Sequence, residues 1–487
     1  MGAAGADEAG VSEAFPRPSL RGVALGLGWG PLACVAGAGA VLVAGIRVSF
    51  PTGAVVTAPV WAGLLVMGLV RVSGRPLIGY TPMAVEFVWR RVVGQDQWRR
   101  PVWRTRPAGV LALPGSRARL EQWVDEATGT VMVHDPSSRT LAAALAVSHG
   151  QFTVKDVAQQ APVANGWAAF IGAVGQQPGL VRIQALLRCH PDAGVSARDH
   201  WRRWSGKAVA GSPARASYEE LLRSMAAATE IHRSTITIVL DLRRVRDEID
   251  ALGGGLTGAA AVMRQRMQTV EDALPVAGLT PRGWLGPDEL ALVIRAAYDP
   301  ARSLMFERHP EVLGDLRDAG PMAVDPHWSY VRSDTGFHKV AQLGWPRRPV
   351  AAGFLNELVL VGGTRMAISL VYEPVPTDKA ITEAQHATTE EQSAAEERRR
   401  LGRTETIMHV RDRQAADEHL LALDTGWTEA SHAALVVISA PSEQELKRAT
   451  ARARSAAARV TTRLDTLFGQ QDELFEAAAM PLGLKVS

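Results

Sequence analysis

The segments best suited to bind a phosphate group are two short glycine-containing stretches. Residues 253–258 read GGGLTG, the GxGxxG spacing of dinucleotide-binding loops, and residues 204–208 read WSGKA. A dinucleotide loop follows a strand and opens a helix, whereas the first stretch lies between two predicted helices. A phosphate loop requires glycine where Trp201 stands and Ser or Thr where Ala208 stands. We therefore predict a helix break at the first stretch and no phosphate loop at the second.

Motifs for metal ligation or nucleophilic catalysis are weaker still. Residues 189–192 read CHPD, three ligand types in four residues, but at the end of a predicted strand this is more typical of a turn. HExxH, GxSxG and SxxK do not occur, and no Cys or His doublets have zinc spacing. The sequence therefore predicts no catalytic, cofactor-binding or metal-binding residue, and a protein that is not an enzyme and does not hydrolyse ATP.

Composition points to a multidomain chain with an ordinary surface. At 487 residues the chain exceeds what one hydrophobic core usually organises. The net charge is +3, and only six of the 53 basic residues are lysine, a bias typical of a high-GC genome. This mild, arginine-derived basicity does not indicate nucleic acid, so direct nucleic-acid binding is not predicted.

The N-terminal region predicts membrane insertion. Val23–Ile46 and Thr52–Val70 are two uncharged runs, each of a length that approaches or exceeds the ~20 residues needed to span a bilayer as a helix. Five residues separate them, so we expect a transmembrane helical hairpin over 23–74. Arginines are concentrated before and after the hairpin, which predicts that both termini are cytoplasmic and that the protein lies in the inner membrane. A cleaved signal peptide, with small residues at 38–40, is the alternative.

The juxtamembrane segment, residues 75–106, combines arginine with tryptophan. Its valines and Trp89 repeat at helical spacing, and cations beside indole rings suit the lipid headgroup layer. A helix end packed on the next domain is the alternative interpretation. The predicted membrane-interface residues are Trp89, Arg90, Arg91, Trp98 and Trp103.

The remaining chain predicts an α/β (α+β) cytoplasmic region, following a cytoplasmic tail over 1–22. We expect a first domain over 107–337 and a second α/β unit with a C-terminal helix over 338–487. Apolar, β-branched runs predict buried strands. Capping-box spacing predicts helix starts at Ser217, for a helix over 217–232, and at Ser442. A long charged helix is expected over 378–423. The predicted strands are 180–188, 234–242, 338–345, 364–374 and 433–440.

The chain ends in a helix-like run and a Pro-Leu-Gly turn. This end is apolar, and chain ends usually fray unless something covers them. We consider two coverings: a partner protein, or the protein's own second α/β unit. The first makes the end a docking surface, and its predicted residues are Phe475, Met480, Pro481, Leu482 and Gly483.

The order of these parts resembles type IV secretion proteins of high-GC Gram-positive bacteria. Residues 1–105 resemble the small PrgI-like two-span subunit of conjugation machines. Residues 107–487 resemble the N-terminal, non-motor portion of VirB-class conjugation ATPases, in which a Gln-containing helix and Pro-Leu-Gly stand before the P-loop motor domain. The matching residues are Gln470, Gln471, Phe475, Pro481, Leu482 and Gly483.

The resemblance implies a non-enzymatic inner-membrane subunit of a conjugation-like machine. Its implied partners are a separate P-loop motor ATPase, other secretion-system membrane subunits, membrane lipid and further copies of the chain. Two alternatives remain: a membrane-tethered nucleotide-binding enzyme or sensor that uses one of the glycine stretches, and a membrane scaffold for another cytoplasmic complex.

Overall fold

The computed structural model describes most of the chain. The described residues are 12–13, 29–95, 97–101, 103, 106–114, 119–149, 157–191, 195–207, 211–225, 230–344, 346, 350–351, 353–375 and 430–486, with four isolated positions between 382 and 393. The charged helix predicted over 378–423 lies almost entirely outside these residues.

Eighteen strands are present in the described part of the chain. They are β1 Ser12–Glu13, β2 Arg71–Val72, β3 Arg75–Pro76, β4 Trp98–Arg99, β5 Val110–Leu111, β6 Leu120–Val124, β7 Val131–Asp135, β8 Thr140–His149, β9 Leu180–Pro191, β10 Glu230–Asp241, β11 Leu279–Trp284, β12 Ala323–Pro326, β13 Val331–Ser333, β14 Phe337–Gly344, β15 Val350–Ala351, β16 Arg365–Pro374, β17 Ala430–Ala440 and β18 Arg463–Thr466.

The same residues form fifteen α-helices. They are α1 Trp29–Val48, α2 Thr52–Val56, α3 Ala58–Leu69, α4 Thr81–Val92, α5 Val157–Gly175, α6 Val195–Trp204, α7 Pro213–Met225, α8 Arg246–Ala251, α9 Gly255–Ala273, α10 Pro287–Tyr298, α11 Ser303–Arg308, α12 Leu316–Ala319, α13 Asn356–Val359, α14 Glu443–Arg459 and α15 Gln471–Ala479.

One 14-stranded antiparallel sheet organises the protein. Its strand order is β4-β12-β13-β14-β17-β16-β9-β10-β8-β7-β6-β5, with β11 added to β8 and β18 added to β14. The five predicted strands are confirmed as β9, β10, β14, β16 and β17, which lie together at the centre. Their apolar, β-branched runs are continuous because both faces of the central strands are covered.

The predicted boundary between the two α/β units falls at the first residue of β14. Strands from both sides of it pair directly: Ile368 of β16 lies opposite Leu187 of β9. One apolar core runs along a whole face of the sheet, from Leu111 through Val239 to Val437. The two units therefore share a sheet and a core.

The opposite face carries two separate cores. Helices α5 and α9 cover one half through residues such as Phe170 and Met263, and α14 covers the other half through Leu446 and Ala453. The predicted cap of α14 is confirmed, because the Ser442 hydroxyl accepts a hydrogen bond from the backbone N–H of Glu445 at 3.2 Å.

The helix predicted to begin at Ser217 starts earlier and ends earlier than expected. It is α7, which runs from Pro213 to Met225, so Ser217 lies inside the helix rather than at its cap. The residues that follow in the prediction, from Glu230 to His232, belong to β10. The pairing of β10 with β8 and β9 along its length outweighs the local helical pattern.

The predicted pair of transmembrane helices is corrected to one helix of spanning length. Among the described helices, α1 alone is long and apolar enough to cross a bilayer, and most of its surface is exposed. The second predicted span divides at Thr57 into α2 and α3, of 5 and 12 residues. Pro59 explains the division, because proline removes a backbone donor and favours the start of a helix over its interior. The protein thus has one N-terminal apolar helix with the properties of a membrane anchor or signal sequence.

Helix α1 nevertheless packs closely against α2 and α3. A Cβ added at Gly68 would lie 2.9 Å from the Cβ of Cys34, and one added at Gly53 would lie 2.0 Å from the backbone oxygen of Gly45. Glycine at these two positions therefore allows the backbones to approach.

Candidate membrane-facing and partner-docking surfaces

Helix α4 presents an exposed apolar face next to the apolar N-terminal helices. Trp89 is 65% exposed, and the neighbouring valines at 85, 88 and 92 are each more than half exposed. These four positions follow the helical spacing that the sequence predicted. Exposed valines and an indole on one side of a helix form a surface suited to lipid or to another protein.

The other side of α4 packs onto the sheet domain. The ring of Phe87 meets Trp328 edge-on at 5.5 Å between centroids. Arg90 Nη2 donates to Asp472 Oδ2 of α15 at 2.5 Å, and the Asp472 side chain is almost fully buried. Burial lowers the pKa of Arg90, but the hydrogen bond and the negative charge of Asp472 raise it by more. The pKa of Arg90 is therefore higher than its ordinary value. This side of the helix therefore has the contacts of a helix packed on the next domain, and lipid contact by the exposed side stays a prediction.

The five predicted membrane-interface residues divide between these two environments. Trp89, Arg91 and Trp103 are exposed. Arg90 is committed to the ion pair with Asp472. Trp98 lies in β4, packs against the core and has the Arg106 guanidinium 5.3 Å from its ring centre. The sequence could not separate these two groups, because an inward-facing Arg or Trp has the same sequence signature as an outward-facing one.

Arg90→Leu is expected to destabilise the protein by about 3 kcal/mol, because it leaves the buried Asp472 carboxylate without its cation. Chemical denaturation of the purified protein measures this. Arg91→Leu, on the exposed side of the same helix, is the matched control and should change stability by less than ~0.5 kcal/mol. The double variant Arg90→Leu/Asp472→Leu should recover part of the lost stability. Equal stability of Arg90→Leu and Arg91→Leu would contradict a stabilising role for the ion pair.

The predicted docking residues at the chain end are buried against the protein's own sheet. Phe475 is 2% exposed and lies between Tyr298 and His338, with ring centroids at 5.4 and 4.4 Å. Met480, Pro481, Leu482 and Gly483 are buried as well. Of the two coverings considered for this end, the structure has the protein's own fold, and these five residues do not form an exposed docking surface.

Gln184, in β9, makes four hydrogen bonds, and three of them hold this end. Its Nε2 donates to the backbone oxygens of Ala477 and Met480 at 2.9 and 3.0 Å and to Ser369 Oγ at 3.0 Å. Its Oε1 accepts from the Gly483 N–H at 2.9 Å. The last carbonyl groups of a helix have no hydrogen-bond partner within the helix. Gln184 supplies that partner at the C-terminal end of α15.

Gly483 and Gln471 fix the two ends of the same segment. Gly483 has φ of 57°, and a Cβ there would lie 2.3 Å from Val239 Cγ2, so both conformation and space require glycine. Gln471 pairs with both backbone groups of Val340 in β14, accepting at 2.8 Å and donating at 3.0 Å. The Gln and the Pro-Leu-Gly turn thus act as anchors of the last helix on the sheet.

His338 extends the buried polar contacts beneath Phe475. Its ring nitrogens lie 2.7 Å from Ser333 Oγ and 2.8 Å from Ser439 Oγ. Burial, followed by the charge of Arg365, lowers the pKa of His338 to about 3, so the ring is neutral at physiological pH. Neither Gln184 nor His338 was singled out from the sequence; a lone Gln inside the apolar run LVRIQALLR was the available signal.

The segments first considered for chemistry have structural roles where they are described. The GGGLTG stretch is the break between α8 and α9, as predicted, with positive φ at its first three glycines. A Cβ at Gly258 would lie 2.4 Å from the Ile249 backbone oxygen, so this glycine lets the two helices meet. Residues 205–207 form a single 3₁₀ turn after α6. No cluster of three metal-ligating side chains occurs among the described residues.

Comparison with known proteins adds no family assignment to this geometry, because no protein-family model matches the chain and no curated protein matches it.

Proposed function

We propose that the protein is a non-enzymatic subunit of a type IV secretion or conjugation-like machine, anchored in the inner membrane and serving a separate P-loop motor ATPase. The observation that carries the proposal is the exposed apolar helix α1, joined through α4 to a large sheet domain whose last helix ends in the Gln-containing and Pro-Leu-Gly pattern. The resemblance supplies the proposed identity of the machine, and the fold supports it with an apolar N-terminal helix beside a large sheet domain.

The proposed topology places the N-terminal tail and the sheet domain on the same side of the membrane. Strand β1 in the tail pairs with β15, Ser12 lying opposite Ala351, which supports one compartment for both. We propose that α1 inserts into the bilayer, and that α2 and α3, which pack along α1 and are each shorter than a membrane span, connect its end to the sheet domain.

The exposed face of α4 completes the membrane contact in this proposal. Its Val and Trp side chains lie beside Arg91 at the start of the cytoplasmic region, a composition favoured at the headgroup layer. A polarity-sensitive fluorophore on Val88→Cys should emit at shorter wavelength in lipid vesicles than one on Ala127→Cys. Matching emission from the two positions argues against lipid contact by this face.

Cysteine labelling tests the topology directly. In a parent lacking Cys34 and Cys189, a membrane-impermeant maleimide should label Ser49→Cys in intact cells, because residue 49 lies in the turn after α1. Ala127→Cys, exposed in the turn between β6 and β7, should be labelled only after permeabilisation, and so should Ser12→Cys. Labelling of residue 12 but not 127 in intact cells contradicts a same-side arrangement and favours a single crossing.

Purification in mild detergent tests the proposed partners. We expect a P-loop ATPase and other membrane subunits to co-purify with the full-length protein, and ATP hydrolysis to disappear when the ATPase is removed. Arg90→Leu, which loosens α4 from α15 without touching α1, serves to ask whether recruitment depends on that junction. Hydrolysis that persists in the protein freed of other polypeptides rejects the non-enzymatic proposal, and co-purification of a different assembly's subunits favours a scaffold.

A further inference from the structure

A cleft opens where β9 ends and β16 begins, on the side of the sheet domain formed by α14. It has a volume of about 430 Å³, within the ~300–1,000 Å³ range of small-ligand pockets. Its walls come from the last residue of β9, the turn after α10, the loop before β16 and the first half of α14. The apolar part of the lining includes Pro191, Pro300, Ala301 and Ala449.

The polar lining of this cleft is dominated by arginine. Arg365, Arg448 and Arg452 all line it, and Glu445 is the one carboxylate among the lining residues that the structure describes. Arg365 donates to Ser303 Oγ at 2.5 Å, and Arg452 donates to Thr364 Oγ1 at 3.1 Å, so hydrogen bonds to hydroxyl groups help to hold both guanidinium groups in place. Arg448 has no ion-pair partner among the described residues.

Nearby acids do not cancel this charge. Asp299, behind the Pro300 wall, accepts from Thr335 at 2.5 Å and is paired with Arg295. Glu230, near the floor, accepts from the Gly363 N–H at 2.9 Å and lies 3.4 Å from His232. Each carboxylate is thus engaged with its own donors, and the cleft itself keeps an excess of positive charge.

A buried histidine lies beneath the cleft. His190 is 8% exposed, and neither ring nitrogen has a hydrogen-bond partner among the described residues. It lines a void of about 20 Å³ together with Arg188, Arg365 and Ser439, and the last two residues also line the cleft. Burial first, then Arg365 and Arg188, lower the pKa of His190 well below its ordinary value. A buried hydrogen-bond donor without a partner is energetically costly. The unpaired ring of His190 therefore indicates that a bound group could supply the hydrogen bond at the floor of the cleft.

We infer that this cleft binds a phosphorylated small molecule, with Arg365, Arg448 and Arg452 holding its phosphate groups and His190 contributing a ring N–H from below. Arginine forks match phosphate oxygens bidentately, and the apolar walls suit the remainder of the ligand. The cleft is concave and confined to one end of the sheet, whereas a nucleic-acid backbone requires a basic track several phosphates long. The site is separate from GGGLTG and WSGKA, and binding here requires no hydrolysis.

Calorimetric titration of the full-length protein in detergent with ATP and with inorganic pyrophosphate tests the site. We expect saturable binding of at least one probe, weakening as salt is added. Arg448→Gln and Arg452→Gln, both exposed on α14, should each reduce affinity about tenfold, the size expected for one charged hydrogen bond. Tighter binding of ATP than of pyrophosphate would show that the cleft also recognises the nucleoside. Equal binding would show that it recognises phosphate alone, and either result supports the site.

The matched control is Arg459→Gln on the same helix, whose side chain is paired with Glu357 outside the cleft. It should leave affinity unchanged while altering net charge by the same amount. An equal loss in this control assigns binding to diffuse surface charge and overturns the proposal. So does the absence of saturable binding at millimolar concentrations, or tight binding of a single-stranded oligonucleotide that pyrophosphate does not displace. Thermal unfolding of each variant verifies that it is folded.

Discussion

A chain truncated after Gln471 is expected to lose cooperative folding of the sheet domain. The deleted segment carries five large buried apolar side chains, at positions 474, 475, 480, 482 and 484. Burial contributes roughly 1.5–3 kcal/mol for each such side chain, or about 8–15 kcal/mol together. A whole domain is stable by only about 5–15 kcal/mol. Losing this helix therefore removes a free energy comparable with the net stability of the protein.

Single substitutions separate a core role from a docking role at this end. Phe475→Ala should cost about 3–5 kcal/mol, because it leaves a cavity between Tyr298 and His338. Leu360→Ala, at a site 54% exposed, is the control and should stay within ~0.5 kcal/mol of the parent. Urea denaturation followed by circular dichroism measures both. If the truncated chain unfolds at the same urea midpoint as the parent but no longer recruits the partner ATPase, the result contradicts the core role and favours docking through this end.

The central strands could be predicted from sequence because their pattern is local. Runs such as STITIVLDL carry β-branched side chains on both faces, and that signal does not depend on which strand lies alongside. The joining of both predicted units into one sheet could not be predicted. It depends on β9 pairing with β16, strands separated by 173 residues between Pro191 and Arg365 along the chain, and such pairing leaves no mark within either strand.

The burial of α15 illustrates a second limit of sequence reasoning. The segment is apolar, and the sequence shows that something must cover it but not what. The partners that decide the matter are polar: Gln184 lies nearly 300 residues earlier, and Tyr298 donates to Glu476 Oε1 at 3.2 Å. Side-chain hydrogen bonds between distant elements have no periodicity to detect, so a core contact and a docking contact look alike before the fold is known.

Replacing Gln184 with leucine is the second change expected to have a large effect. Leucine keeps most of the side-chain volume but removes all four hydrogen bonds. The Gly483 N–H and the carbonyls of Ala477 and Met480 then remain buried without the Gln184 side chain as partner. Each unsatisfied group costs about 1–3 kcal/mol, so the summed loss is roughly 3–9 kcal/mol. Denaturant unfolding should show a large shift of midpoint with little change of slope while the protein stays two-state.

Gln268→Leu provides the matched control for this prediction. Gln268 lies on the exposed side of α9, where its Nε2 donates to Asp272 Oδ1 at 2.9 Å, so water replaces that bond when the amide is lost. The expected change is below ~0.5 kcal/mol. Gln184→Glu sharpens the comparison, because a carboxylate there still accepts from Gly483 but faces two carbonyl oxygens that it cannot donate to. It should be strongly destabilised at neutral pH and partly recover on acidification, when the protonated form donates again. Equal midpoints for Gln184→Leu and Gln268→Leu refute the anchoring of α15 by Gln184.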